Sequence, residues 1–222
     1  MTFNIISTGS KGNAVVLDGR IMVDCGIPFK LLAPHIKHLR LVLLTHEHGD
    51  HFVPSTVRRL HQERPTLRWG CCEWMVPHLL EAGVDKRVID VYKCGHTYLY
   101  PGDIQVMPEP LTHNVPNCGY HIGYHIFDSW NRMFYATDTG TMDGIEAKGY
   151  DWYFIEANHT QADIAARAAE KQAAGQYAYE IKAAENHLSR EQAEDWLYQN
   201  MGPKSQYVFL HGHEERGETD AE

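Results

Sequence analysis

Cysteine is sparse and badly spaced in this chain. Cys25, Cys71, Cys72, Cys94 and Cys118 make no C-x-x-C pair, and an odd number cannot all close into internal disulfides. The pattern suits neither a zinc finger nor a disulfide-stapled secreted scaffold, so reduced thiols in a cytoplasmic protein are the expectation. No run of about 18 apolar residues occurs, and no membrane span is expected. No signal-peptide pattern precedes the first strand pattern, Phe3 to Ser7. Positive charge is also short. The 20 Lys and Arg face 29 Asp and Glu, and the net charge of −9 argues against charge-driven, nonspecific binding to nucleic acid. A phosphate substrate is still compatible, because bound cations supply local positive charge that a residue count omits. There is no low-complexity linker and no short-period repeat. With 43% hydrophobic residues in 222, the chain can bury a sizeable core. One domain is expected over residues 1–213, with a charged tail at 214–222.

What the chain has in excess is histidine, 15 residues in all. Four potential ligands fall in one short segment, Thr45-His46-Glu47-His48-Gly49-Asp50-His51. An isolated His-x-His carries little weight. Here His-x-His-x-Asp-His follows Leu41-Val42-Leu43-Leu44, a short apolar run that reads as a buried strand. Imidazole and carboxylate are ligands for zinc and similar divalent ions, and a loop offering both pairs can face two ions. A closed structural zinc site is normally rich in cysteine, and none lies near this loop.

The rest of the chain alternates strands with helices. Ala14 to Leu17 and Ile21 to Val23 form a hairpin around Asp18-Gly19. Short helices are expected over Phe29 to His38, Pro54 to Gln62 and Glu73 to Ala82, with strands at Leu67 to Gly70 and Val88 to Tyr92. In the second half, strands are expected at Ile104 to Met107, Tyr120 to Phe127, Arg132 to Ala136, Trp152 to Ile155 and Gln206 to Leu210. A long Ala- and Glu-rich helix is read over Ala162 to Ala184, broken at Gly175. Another starts at Ser189, where Ser189 and Gln192 make a capping-box pattern. Runs of strands with helices between and after them predict an α/β chain of two packed sheets with helices outside.

His113, Asp138 and His211 each come just past an expected strand, as the His46 loop does. Residues so placed converge at one edge of a sheet sandwich. Two ions need about seven protein ligands if water fills the other positions. The simplest division gives one ion His46, His48 and His113, gives the other Asp50, His51 and His211, and makes Asp138 the bridge. His213 competes with His211, which adjoins the strand. His187 precedes the capped helix, whose N-terminus favours an anion.

Taken together, His46-x-His48-x-Asp50-His51, His113, Asp138 and His211 resemble the ligand pattern of the metallo-β-lactamase superfamily. The resemblance implies a four-layer αββα sandwich with a dinuclear site at one edge, usually zinc, with manganese or iron as alternatives. Gly9-Ser10-Lys11-Gly12-Asn13-Ala14 and Phe154-Ile155-Glu156-Ala157-Asn158-His159 are similar to segments of the YycJ/WalJ-like branch. Gln176 and Ala178 depart from that branch's Arg and Pro. The order His187-Leu188-Ser189, helix, strand, His211 resembles ribonuclease Z, which implies that His187 contacts a scissile phosphate or protonates the leaving group. The same resemblance gives Asp50 a part in orienting the nucleophile. Glu156 is expected to orient a ligand histidine, and His159 is either a further support or plain packing.

These readings predict a metal-dependent hydrolase that uses activated water on a phosphodiester of a nucleic acid or nucleotide. A small cyclic phosphodiester, or a carbonyl substrate such as a thioester, lactone or β-lactam, is the alternative on the same ions. A flavin-dependent diiron site usually carries Glu where His48 stands, which argues against it.

Overall fold

The computed structural model describes residues 1–113, 121–177 and 185–212. Asn114, Cys118, Tyr120, residues 178–184, His213 and the charged tail lie outside these. The first sheet is β1 (Phe3–Ser7), β2 (Ala14–Leu17), β3 (Ile21–Val23), β4 (Leu41–Leu43), β5 (Arg68–Cys72) and β6 (Ile89–Tyr92), in that order. The second is β7 (Tyr98–Tyr100), β8 (Ile104–Leu111), β9 (His121–Phe127), β10 (Arg132–Ala136), β11 (Trp152–Glu156) and β12 (Gln206–Leu210), again in chain order. β3 to β6 run parallel to one another, as do β10 to β12.

Alternation along the strands makes the layers. Val15, Leu17, Ile21, Val23, Leu41 and Leu43 point between the sheets, where Val106, Ile122, Tyr124 and Tyr135 meet them. Val16, Met22, Val42 and Leu44 point the other way, onto a layer built with Leu32, Val57, Leu60 and Leu79. Those come from α1 (Phe29–Leu32), α2 (Pro54–Glu63) and α3 (Val76–Glu81). Strands covered on both faces read as continuous apolar runs, which is why β4 is buried throughout. On the far side, Phe134, Tyr153 and Ile155 pack against Ala193, Trp196 and Leu197 of α5 (Arg190–Asn200). The α/β, four-layer sandwich is therefore the observed architecture. The Tyr124 hydroxyl donates across it to the Leu44 carbonyl, joining the sheets just before the histidine loop.

Several boundaries differ from the sequence expectation. β8 continues to Leu111 through Pro108 and Pro110. The strand tolerates them because β7 pairs only with Ile104 to Val106, so among the described residues no strand adjoins the later ones on the other edge and no ladder bond is needed from the proline nitrogens. β7 itself escapes notice, being three residues long. The expected helix at Glu73 begins as a 3-10 turn before Val76. α4 spans Gln161–Ala173 and stops before Gly175, whose φ of +65° closes the end. The Ser189–Gln192 capping box is present at the start of α5. The four described cysteines are free thiols.

Candidate metal centre

The carboxyl ends of β4, β8, β10 and β12 meet at one edge of the sandwich. Each strand delivers a side chain there, because the polypeptide leaves the sheet at that level. Three groups of ligand atoms result, each with its atoms within 4.8 Å of one another. The first is His46, His48, His113 and Asp138. The second is Asp50, His51, His211 and Asp138. The third, Asp138, Glu156, His187 and His211, extends the second toward α5.

All seven sequence-expected ligand positions thus come together. His46 Nε2 lies 3.0 Å from His48 Nδ1, and His113 Nε2 lies 3.3 Å from the same atom. Asp138 Oδ2 is 3.0 Å from His51 Nε2, 3.5 Å from His46 Nε2 and 4.0 Å from His113 Nε2. Its other oxygen is 3.4 Å from His211 Nε2. Asp50 Oδ2 is 3.5 Å from both His51 Nε2 and His211 Nε2. Aspartate 138 therefore stands between the two groups.

The outward-facing nitrogens are also engaged. His46 Nδ1 meets the Thr45 hydroxyl at 3.0 Å, His51 Nδ1 meets Asp24 at 2.7 Å, and His113 Nδ1 meets the Asn186 carbonyl at 3.1 Å. His211 Nδ1 meets Glu156 Oε1 at 3.2 Å. Such partners fix ring orientation and leave Nε2 to face the cluster. Backbone strain accompanies this placement. Asp24, Asp138 and His211 all have φ between +52° and +61°, the left-handed region that non-glycine residues seldom adopt.

Electrostatics separate the two groups. Burial, then the neighbouring His51 and His121, push His46 well below the usual imidazole range, and burial likewise lowers His113. In the second group burial opposes charge but is outweighed. Asp138 and Asp24 hold His51 well above its ordinary value, and Asp50 and Glu156 raise His211 to about 10. Asp138 is held low against its own burial by His51, and Asp50 by His211 and His51. The carboxylates of the second group thus favour the protonated form of its imidazoles. The donor set of buried imidazoles and carboxylates facing one another fits two divalent cations, which would replace those protons.

His187 Nδ1 lies 2.5 Å from Glu156 Oε1, and its ring stacks on His211 at 5.2 Å. Burial works against the charged ring, but Glu156 raises its pKa. Glu156 is fully buried and also accepts from the Thr139 N–H at 2.8 Å, so it holds both His187 and His211. His159 pairs its backbone with Ser189, and its Nδ1 has no partner among the described residues.

Three contributors went unnoticed in the sequence. Asp24 follows β3 as Asp138 follows β10, so the strand-end rule that found Asp138 would have found it. Asn13 and His121 precede β2 and begin β9. These strands are antiparallel to β3 and β10, so their starts share the same sheet edge. His121 is buried against His46, with ring centroids 4.3 Å apart, and donates from Nε2 to the Thr137 carbonyl. Burial lowers its pKa to about 3 and keeps it neutral.

Comparison with known proteins agrees with this architecture. A sequence model of the β-lactamase superfamily domain matches residues 19–211. The chain is 26% identical over 235 aligned positions to a Streptococcus pneumoniae protein named exodeoxyribonuclease WalJ, covering 95% of this chain and 80% of that one. The metallo-β-lactamase fold protein YhfI of Bacillus subtilis superposes with a TM-score of 0.68 at 15% identity, over 96% and 86% of the two chains. The short form of human tRNase Z superposes with a TM-score of 0.67 at 15% identity, over 96% and 93%. At that identity the two structures speak for the fold.

Proposed function

The chain belongs to the β-lactamase superfamily, and we propose that within it the protein is a metal-dependent phosphodiesterase that cleaves nucleic acid using two divalent ions, Zn2+ first among the candidates. The observation that carries this reading is Asp138, whose two oxygens face ligand atoms of both groups. When bound, such a pair of ions lowers the pKa of a coordinated water from ~15.7 toward ~7 and neutralises charge on a transferring phosphoryl group.

His46, His48 and His113 would hold one ion and Asp50, His51 and His211 the other, with Asp138 shared. Among the second group's carboxylates, Asp50 is the accessible one, its side chain 25% exposed against 2% for Asp138. That placement suits it to accept a hydrogen bond from, and aim, the attacking water. His187 stands at the rim, anchored through Nδ1 by buried Glu156. That anchor favours the protonated ring against its burial and leaves Nε2 to face a leaving oxygen, the work of a general acid. Asp50 and His187 are thus the proposed catalytic residues, and Glu156 the residue that positions His187. The pneumococcal relative carries an exodeoxyribonuclease name, so DNA is the first substrate to test, ahead of RNA and small diesters. A nearby cavity of about 470 Å³ between the 141–148 loop and α5 is lined by Asp143, Glu146 and Asp195 against Lys148. Its acidic wall is unsuited to phosphate, so the strand is placed over the metal groups instead.

The test is a metal-reconstituted panel of single- and double-stranded DNA, RNA, cyclic dinucleotides, a p-nitrophenyl diester, a lactone and a cephalosporin, with His113→Ala as the blank. Turnover of DNA by the parent alone is expected. Hydrolysis confined to carbonyl substrates would overturn the phosphodiester reading, and equal turnover by the blank would overturn the ligand assignment.

A further inference from the structure

Asn13 is 1% exposed, yet it is an amide sitting in the Gly-rich turn that precedes β2. Burial of a polar side chain is costly unless its bonds are made. Its Oδ1 accepts from the Gly9 N–H at 2.9 Å. Its Nδ2 faces Gly9 O at 3.1 Å, Asp50 O at 3.2 Å and Asp50 Oδ2 at 3.3 Å, and lies 2.9 Å from His51 Nε2. Its backbone N–H donates to the Asp50 carbonyl at 2.6 Å. At the other end of the same turn, the Thr8 hydroxyl accepts from the His211 N–H at 2.7 Å.

One short turn therefore reaches Asp50, His51 and His211, the three residues of the second group that the first does not share. Among the described residues, the side-chain contacts of Thr8 and Asn13 run to that group or within the turn. The first group is held from elsewhere, His113 by the Asn186 carbonyl and His46 by the Thr45 hydroxyl, which also lies 3.4 Å from His51 Nδ1. We propose that the Thr8–Asn13 turn is a positioning element for the second ion alone, with Asn13 its principal side chain; this rests on the two-ion reading above. The amide is suited to the task. Its N–H end holds Asp50, both main chain and carboxylate, while its oxygen is spent on Gly9. A carboxylate at the same place would set a second negative charge about 3 Å from Asp50 and offer no donor.

The test reads ion content and affinity. Purified parent, Asn13→Ala and Thr8→Val are dialysed against buffered Zn2+, analysed for zinc per chain, and titrated with a competing chelator. The parent is expected to hold two ions. Asn13→Ala should keep one at parental affinity and bind the other roughly 10–100-fold more weakly, the range seen when a ligand's support is removed. Thr8→Val should shift the same ion in the same direction. Backgrounds assign the site: Asn13→Ala should weaken the ion remaining in His113→Ala and leave the ion remaining in His211→Ala untouched. Two ions at parental affinity in Asn13→Ala, or equal weakening in both backgrounds, overturns the proposal. If Asn13→Ala does not fold, Thr8→Val decides, and an unchanged second ion overturns the proposal. A parent that binds fewer than two ions overturns the two-ion reading, and the inference with it.

Discussion

Gly26 makes the sharpest prediction about how the ligand loop is held. It lies against the main chain of that loop, so close that a Cβ there would sit 1.8 Å from the Asp50 carbonyl oxygen and 2.7 Å from the His51 nitrogen. Both obstacles are backbone, with no flexible end to swing away. Real Cβ contacts under 3.0 Å essentially never occur, so Gly26→Ala must move the loop or its own strand end by at least 1.2 Å, the gap between 3.0 and 1.8 Å. Asp50 and His51 are the residues displaced. Overpacking of this kind costs about 1–3 kcal/mol. In a chain of this size that corresponds to a fall in Tm of roughly 2–12 °C. A misplacement of about 1 Å at reacting groups costs on the order of 10²-fold in rate. Calorimetry of the ion-free protein and steady-state cleavage of a fluorescent oligonucleotide test the two numbers separately. A variant that melts with the parent and cleaves within about twofold of it would refute the reasoning, because the loop would then have slack.

Three other outcomes are expected. His187→Ala should lower turnover of an oligonucleotide by roughly 10²–10⁴ while retaining two ions; a diester whose leaving group needs no proton should lose much less, and equal losses on both would remove the proton from the account. Loading the second ion at pH 7 should release protons, because His51 and His211 are held above neutrality in the ion-free state, His211 at about 10. Affinity should accordingly climb as pH rises toward that value, and calorimetry in two buffers of different ionisation enthalpy that detects no released proton would contradict it. Trp196 packs on Phe134 at 5.4 Å and donates to the Ile145 carbonyl at 2.9 Å. Trp196→Ala should destabilise the fold by about 3–5 kcal/mol in urea unfolding, whereas a cost under about 1 kcal/mol would mean that α5 does not seal the second sheet.

The dense loop after β4 was legible because buried parallel strands leave a plain apolar run and because its ligands are adjacent in sequence. His113, Asp138 and His211 were found by one rule, that chemistry collects where strands end. The rule's limits are physical. It looks at the exits of strands, and so passes over Asn13 and His121, which enter antiparallel strands at the same edge. Asp24 satisfies the rule, but one carboxylate after a short hairpin strand gains weight only once His51 is seen beside it. Pro108 and Pro110 concealed the second half of β8, since nothing local indicates that a strand's outer edge is free. The partnership of Glu156 with His187, 31 positions apart, depends on β11 and the lead-in to α5 docking together.

Each of the first two groups of ligand atoms takes side chains from both sheets, those of the loop after β4 on one side and those following β8, β10 and β12 on the other. An occupied centre is thus a clasp across the seam of the sandwich. A clasp that closes only on the native fold adds about 2.7 kcal/mol when free cation stands at a hundred times its dissociation constant, and nothing when cation is withdrawn. Metal supply would then govern how long the molecule stays folded as well as how fast it works.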